Sequence, residues 1–306
     1  MVTVLTQAAP WRFFDAHVVA VQALSPSFVR ITLRGPDLAD FADNGLDQRF
    51  KLLLPAADGG FTHLPRAEDW YAGWRALPDA QRPALRTYTV RAVRPEAHEV
   101  DVDMVRHGLT GPASTFAERA AIGDEVVLLG PNARFDGPHG GLEFRPPADH
   151  LGPYLLAGDE TAVPAIAVIL EQLPEQAYGE VVLEVPYAED RLPLVAPPQL
   201  RITWVAREGA PYGSALTPAV IAAVEDLDLP ALLVGQDVEE TGAADDEVLW
   251  DVPEAAAGDA APNLYAWLAG EARAITGLRR HLVREVGVDK RAVAFMGYWR
   301  QGVSGS

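Results

Sequence analysis

The chain has 306 residues, of which 49% are hydrophobic, and it carries a formal net charge of −18 at pH 7. This length is sufficient for a substantial core and predicts two domains. The negative charge argues against nucleic acid and anionic membranes as partners, since both need a basic surface. Because the chain has no cysteine, disulfides, thiolate zinc sites and the usual iron–sulfur clusters are excluded, and any redox chemistry needs a bound organic cofactor.

The sequence also bears on location and on metals. No apolar run approaches the roughly 20 residues that span a bilayer, and residues 1–10 lack the regions of a signal peptide. The seven histidines are scattered without metal-ligand spacing, and the Gly-x-Ser-x-Gly motif of hydrolases is absent. We therefore expect a cytoplasmic protein without a protein-bound metal, and we favour a monomer, although the sequence does not determine the oligomeric state.

The first elements of the chain are predicted to be short strands. Residues 16–21 and 28–33 are rich in strand-forming residues and are separated by a Ser-Pro-Ser turn, which indicates a hairpin. A third strand is expected at residues 49–54. Residues 56–82 have mixed polarity and contain two tryptophans, so a long loop and a short helix both remain open.

Residues 86–91, Arg-Thr-Tyr-Thr-Val-Arg, predict the next strand. Alternation places Arg86 and Tyr88 on one face, about 7 Å apart. A guanidinium matches a phosphate, and an aromatic ring can lie against a planar heterocycle. This strand could therefore hold a nucleotide-like cofactor, while a core tyrosine beside a surface arginine is the ordinary alternative.

A second phosphate signal follows a strand expected at residues 99–106. Pro112 suits the first turn of a helix that runs to Ala120, and Gly111 directly precedes it. Backbone amides at such a start can approach a phosphate, although a plain turn explains the pattern equally well. Only one strand separates Arg86 from this helix, so both could face the same pyrophosphate. With a further strand at 125–129, the succession of strands indicates a small antiparallel barrel.

The second half of the chain alternates strands with helices. Glycine and proline in residues 137–147 place the domain boundary near residues 146–150. Strands are expected at residues 154–157, 181–185, 202–206, 231–235, 263–269 and 292–296, and helices at 162–173, with Asp159 or Thr161 as the cap, 217–227 and 271–286. This alternation predicts a doubly wound parallel sheet that binds ligands at the carboxyl ends of its strands. The acidic residues 236–262 are expected to be a solvated excursion.

Several motifs along nearly the whole chain carry a family resemblance. They are Arg86-Thr-Tyr-Thr-Val-Arg91, Val105-Arg-His-Gly108 with Gly111-Pro-Ala-Ser114, Leu156-Ala-Gly-Asp-Glu-Thr-Ala162, Trp267-Leu-Ala-Gly-Glu271 and Gly297-Tyr-Trp-Arg300. In this order they resemble the siderophore-interacting proteins, FAD-dependent ferric-siderophore reductases of the ferredoxin reductase-like superfamily. The resemblance implies a six-stranded antiparallel Greek-key β-barrel that binds FAD, residues 1–148, followed by a doubly wound α/β domain that binds NAD(P)H, residues 149–306.

The resemblance also implies roles for individual residues. Arg86 is expected to contact the FAD pyrophosphate and Tyr88 to stack on the isoalloxazine, while Thr89, with its neighbour Val90, reaches the flavin edge mainly through the backbone. Expected around the remainder of the flavin are His107 at the ring or ribityl chain, Gly111, Ala113 and Ser114 at the phosphates, and Asp159, Glu160 and Thr161 closing over it.

Gly270 and Glu271 are expected to border the nicotinamide site. One departure from the wider superfamily concerns the turn that binds the nicotinamide nucleotide. The superfamily has a tight Gly-x-Gly-x-x-Pro turn, whereas this chain has Gly158-Asp-Glu-Thr-Ala-Val-Pro164. Acidic residues repel a phosphate, so weak or displaced binding of the pyridine nucleotide is expected, and the preference for NADH or NADPH stays open.

Electron counting gives the expected reaction. A nicotinamide donates two electrons together and ferric iron accepts one, and flavin can do both. An anionic ferric catecholate needs local basic side chains in so acidic a chain, and Lys51, Arg134 and Arg300 are the candidates, each equally consistent with an ordinary surface charge. Two alternatives remain: a flavin reductase or electron donor to a redox protein, and a protein that binds a ferric siderophore without reducing it.

Overall fold

The computed structural model describes residues 8–109, 111–227, 229, 250–252 and 264–302. The chain divides into two compact units, the first ending at Gly141 and the second beginning at Leu142. The assignment of residues 1–148 to FAD and 149–306 to NAD(P)H stays a prediction. The strand expected at 231–235 and most of the acidic stretch 236–262 lie outside the described residues.

The first unit is built on one antiparallel sheet. Its strands are β1 Trp11–Ala23, β2 Phe28–Arg34, β3 Arg49–Leu54, β4 Ala84–Thr89, β5 Ala92–Arg94, β6 Glu99–Val105 and β7 Glu125–Pro131. Their order in the sheet is β4-β3-β7-β1-β2-β6-β5, with antiparallel pairing throughout. The expected antiparallel fold is confirmed, but the sheet has seven strands rather than six.

The two edge strands of the sheet, β4 and β5, are separated in the chain by only Val90 and Arg91. The sheet must therefore curl so that its two edges approach each other. Between them, the amide of Val90 donates to the carbonyl of Gln48 and that of Arg91 donates to the carbonyl of Asp101, each at 2.9 Å. The linker is thus bonded to both sides of the sheet. The sequence missed β5 because its three residues directly follow a stretch that already predicts a strand.

Side chains of alternating polarity separate the two faces of the sheet. In β1, Phe14 and Val18 are fully buried while Asp15 and His17 are exposed, as the two-residue period of a strand requires. The inner face forms the main core. On the outer face, the helix α1 Trp70–Ala76 packs Trp74 against Leu53, which decides for a short helix in the segment left open above. The helix α2 Pro112–Arg119 packs against β4 and β6.

The second unit is a parallel sheet with helices. Its elements are β8 Tyr154–Gly158, α3 Val163–Gln172, β9 Tyr178–Val185, β10 Gln199–Ala206, α4 Leu216–Asp226, β11 Trp250–Asp251, β12 Tyr265–Glu271, α5 Ala272–Arg280, a π-helical turn His281–Val286 and β13 Val293–Trp299. The strand order is β10-β9-β8-β12-β13-β11. All pairs are parallel except β11 with β13, so the doubly wound expectation is confirmed.

Short 3-10 helices connect some of these elements: Pro36–Asp40, Asp79–Gln81, Pro95–Ala97, Ala188–Asp190 and Lys290–Ala292. The expected cap of α3 is wrong. Its N-cap residue is Ala162, without a side-chain hydrogen bond, because the carboxylate of Asp159 accepts from the amide of Thr161 instead. Among the described helices, none has the length and apolar character needed to cross a bilayer.

Candidate functional site

Strand β4 presents Arg86 and Tyr88 on the inner face of the curled sheet. They pair across the strands with Leu52 and Phe50, respectively, and cross-strand partners share a face. Tyr88 is half-buried against the core, and burial raises the pKa of its hydroxyl well above the usual value despite the nearby charge of Arg86. The face therefore offers a neutral aromatic ring beside a guanidinium.

Arg86 keeps most of its hydrogen-bonding capacity for another group. Its Nη1 donates to the carbonyl of Leu85 at 2.7 Å, and within the described residues no carboxylate pairs with it. The two residues after Tyr88 already have partners or are enclosed within the protein. The amide of Val90 donates to the carbonyl of Gln48, and Thr89 is buried. An arginine without an acidic partner suits a phosphate, because its fork of donors matches two phosphate oxygens.

The start of α2 adds an open approach to backbone amides. Gly111 has φ +109°, and a side chain placed there or at Gly108 would meet nothing within 4 Å. The Nδ1 of His107 lies 3.1 Å from the Oγ of Ser114, which is buried, as is Ala113. The predicted residues of this segment are thus gathered around the first turn of the helix.

The loop before α2 is held by a carboxylate of the helix itself. Glu118 accepts from Nε and Nη2 of Arg106 at 3.1 and 2.9 Å and from the amide of Gly108 at 3.3 Å. Because α2 also packs against β4, the arginine strand and the helix start belong to one neighbourhood. A cation, an aromatic ring and open amides are the groups that the pyrophosphate and ring of FAD require, so the residues present fit this cofactor.

The three basic candidates are dispersed. Lys51 lies on the face opposite Tyr88, and its Nζ donates to the Oγ1 of Thr87 at 2.7 Å. Burial, together with the charge of Arg49, lowers its pKa. Arg134 is exposed and forms an ion pair with Asp40 at 2.6 Å.

The third candidate belongs to the other unit. Arg300 directly follows β13 and is half-buried. Lys51 lies within β3, and strand alternation carries its side chain to the face opposite Tyr88, whereas Arg300 follows the end of a strand. Their joint role stays a prediction.

In the second unit, Asp159 lies at the carboxyl end of β8, between β9 and β12. Its Oδ1 accepts from the amide and hydroxyl of Thr161 at 2.9 and 2.5 Å. Its Oδ2 accepts from the amide of Glu271 at 2.7 Å and the indole Nε1 of Trp299 at 2.9 Å. Burial, followed by the neighbouring charge of Glu160, raises the pKa of Asp159 to about 7, while the hydrogen bonds act in the opposite direction.

A buried ion pair lies beside this carboxylate. Both oxygens of Glu160 accept from Arg207, the longer contact being 2.7 Å, and the two side chains are only 2% and 8% exposed. Glu184 lies 3.7 Å from the same guanidinium and accepts from three backbone amides of residues 213–216. The guanidinium also stacks 4.0 Å from the ring of Tyr212.

Glu271 has a local structural role. Its carboxylate accepts from the amides of Arg273 and Ala274 at 2.8 and 3.1 Å and so caps α5. The side chains of Asp159 and Glu160, expected to close over a flavin, are likewise enclosed by their own unit, each 2% exposed. Their contacts to a cofactor stay predictions.

Sequence reasoning missed part of this network. Arg207, Tyr212 and Glu184 lie in none of the motifs, and Trp299 lies in a motif that assigns it no role. One signal was available, since Glu184 interrupts the apolar strand Val-Val-Leu-Glu-Val and a charge at such a position needs buried partners. Nothing local indicated that those partners include Arg207.

Two family descriptions match the chain. The "Siderophore-interacting FAD-binding domain" matches residues 17–135 and the "Siderophore-interacting protein" family matches residues 152–302. Ferric vibriobactin reductase ViuB of Vibrio cholerae is 30% identical over 279 residues, 91% of this chain and 86% of that protein. An uncharacterized protein of Mycobacterium tuberculosis is 35% identical over 94% of this chain and 89% of its own.

Solved structures give the same picture. A siderophore utilization protein from T. fusca has a TM-score of 0.69 and 31% identity, covering 98% of this chain and 97% of that one. The siderophore-interacting protein SipS from Aeromonas hydrophila has a TM-score of 0.63 and 30% identity, covering 96% and 93%. A ferredoxin reductase of carbazole 1,9a-dioxygenase, at 16% identity and a TM-score of 0.57 over 95% of this chain and 71% of its own, shares the fold.

Proposed function

Because the chain belongs to the siderophore-interacting protein family, we propose that it is a ferric-siderophore reductase. It takes electrons from NAD(P)H through FAD and gives them to chelated Fe(III), releasing Fe(II) in the cytoplasm during iron acquisition. The proposal is supported by the ferric reductase among its relatives. The observation that carries it is the open arrangement of Arg86, Tyr88 and the start of α2.

The chain's own residues bind and orient the cofactor. FAD, when bound, would supply the change from two-electron transfer at a nicotinamide to one-electron transfer at iron. Arg86 binds the pyrophosphate through its unpaired donors, and the amides at the start of α2 bind the same group. Tyr88 supports the ring as a neutral phenol, since burial keeps its hydroxyl protonated. Ser114 and His107 hold the first turn of α2 in place.

The substrate proposal rests on charge. A ferric catecholate complex is anionic, and a chain of net charge −18 attracts it only where basic side chains concentrate. We assign this attraction to Lys51, Arg134 and Arg300. Lys51 is half-buried, whereas Arg134 is exposed and already paired with Asp40.

The decisive experiment is the visible spectrum of the purified protein under nitrogen, before and after NADH or NADPH and then after a ferric siderophore. We expect a bound-flavin spectrum that bleaches with the nucleotide and returns with the iron complex, while Fe(II) is trapped by a chelator. A colourless protein that still binds the ferric siderophore would identify a carrier instead. Bleached flavin that reoxidises with free flavin or a redox protein, but not with iron chelates, would identify a flavin reductase or electron donor.

The basic side chains are tested by replacing Lys51, Arg134 and Arg300 with alanine together. We expect retained FAD and a KM for ferric catecholate raised about tenfold, as the loss of a few screened charges implies. The matched control replaces the exposed Arg75, Arg280 and Lys290, which changes the net charge equally. If both triple variants keep the wild-type KM, the assignment of these three residues is wrong, whereas the reductase proposal stands.

A further inference from the structure

We propose that Asp159 fills, with its own carboxylate, the position at which the pyrophosphate of a dinucleotide would bind in the second unit. The side chain thereby excludes that group from the turn after β8. The inference rests on the proposed function, since it concerns how this unit meets the pyridine nucleotide. It names a residue that determines which part of the nucleotide the unit can recognise.

The position follows from the topology of the sheet. Strand β8 lies between β9 and β12, and the chain leaves β8 through a turn that leads into α3. In doubly wound sheets, ligands bind in the crevice where the strand order reverses, outside the carboxyl ends of the strands. A phosphate at such a point accepts hydrogen bonds from the amides of the turn and of neighbouring strand ends.

Asp159 already accepts those hydrogen bonds. Four donors converge on its two oxygens: the amide and hydroxyl of Thr161 in the turn, the amide of Glu271 at the end of β12, and the indole of Trp299 at the end of β13. At 2% exposure, the carboxylate has no room for a second acceptor beside it. The donor set of an anion site is therefore complete without a ligand.

Gly270 is shaped to this side chain. It has φ +149°, and a Cβ at this position would lie 2.8 Å from the Cγ of Asp159. Real Cβ atoms do not approach other atoms so closely, so any other residue would displace the carboxyl group. The glycine at the end of β12 is thus explained by the packing of Asp159, without a bound nucleotide.

The surrounding charges oppose a pyrophosphate as well. Three further carboxylates lie close by. Glu160 follows Asp159 in the chain, Glu271 donates its amide to Asp159, and Glu184 lies 3.7 Å from the guanidinium of Arg207. The cation of this network is Arg207, and its Nη1 and Nη2 both donate to Glu160. A pyrophosphate would have to break this buried pair or place its own negative charge beside these carboxylates, and both are costly. The pyridine nucleotide must therefore be recognised through groups other than its pyrophosphate here.

The test measures binding of ADP-ribose, a probe with the pyrophosphate and no nicotinamide, to the FAD-loaded protein by calorimetry. We expect no saturable binding by the wild type at millimolar probe. Asp159→Ser vacates the space and frees the donors, and it should strengthen binding by about tenfold or more, as one or two charge-assisted hydrogen bonds would. Asp159→Asn keeps the volume while removing the charge, and it should bind no better than the wild type.

Three results would overturn the inference: tight binding by the wild type, no gain in a folded Asp159→Ser variant, or an equal gain in Asp159→Asn, which would make charge rather than occupancy the cause. If Asp159→Ser does not fold, the test uses the NMR signal of the Trp299 indole N–H in the wild type. A saturable shift of this signal with ADP-ribose would contradict the inference that Asp159 occupies the site. An unchanged signal would support it. Flavin content is read separately by absorbance, so a protein that lacks FAD would count against the proposed function alone.

Discussion

The two units treat anion-binding groups in opposite ways. In the first, Arg86 has no carboxylate partner among the described residues, and Gly108 and Gly111 leave the helix start open. In the second, the donors at the strand ends already form hydrogen bonds with Asp159, and Arg207 already forms an ion pair with Glu160. Both regions carry the residue types of a nucleotide site, but only the first keeps its donors available for a ligand.

The difference shows that donor types alone do not make a binding site. A guanidinium or an amide contributes to binding only when the protein has not already paired it, since exchange for an internal partner offsets the gain.

Arg207→Met should be the most destabilising change, because it leaves Glu160 and Glu184 buried without their cation. The free energy of unfolding should fall by about 3–5 kcal/mol, measured as a shift in the urea midpoint. Arg66→Met is the matched control, since Arg66 pairs with Asp15 and both side chains are exposed, so the change should have little effect. Equal midpoints for the two variants would show that the buried network is dispensable.

Asp159→Asn should change how stability depends on pH. The pKa of Asp159 is raised to about 7 in the folded protein, so the folded state favours the protonated carboxyl. Its stabilising contribution to the free energy of unfolding is fully present below pH 4 and is lost as the pH rises through 7. Relative to the variant, the wild type should therefore lose roughly 2–4 kcal/mol between these limits. Denaturation of both proteins at several pH values tests this, and parallel curves would contradict it.

Arg86→Ala should weaken FAD binding by about 10- to 100-fold, the effect of losing charge-assisted hydrogen bonds to a phosphate. Fluorescence titration of the apoprotein with FAD measures the Kd. Arg34→Ala is the control, because Arg34 is an exposed arginine at the opposite end of the β2–β6 pair from the loop before α2. An unchanged Kd in Arg86→Ala would remove β4 from the flavin site.

Glu118→Gln should have a smaller effect on the same Kd, about three- to tenfold, since it loosens the loop before α2 without removing a ligand contact. Glu125→Gln, an exposed carboxylate at the start of β7, should leave the Kd unchanged. The flavin absorbance of the loaded Glu118→Gln protein should stay that of the wild type, because the contacts of Glu118 are to Arg106 and Gly108 of the loop. Wild-type affinity would show that the Arg106 and Gly108 contacts are not needed.

The sequence determined the architecture because the relevant signals are local. Runs of strand-forming residues separated by turn signals predicted the strands of the first unit, and the alternation of strands with helices predicted the parallel sheet of the second. The motif at residues 86–91 also predicted the shared face of Arg86 and Tyr88, since strand alternation requires only the parity of the positions. The candidate flavin strand could therefore be predicted from local pattern alone.

Tertiary structure decided which side chains are still available. The partners of Asp159 at Glu271 and Trp299 lie 112 and 140 residues away in the chain, and Arg207 is 47 residues from Glu160. No local pattern predicts such pairings, because they depend on which strand ends become neighbours in the sheet. For the same reason the acidic turn after β8 suggested only repulsion from the sequence, whereas the folded chain shows its carboxylate occupying the donors themselves.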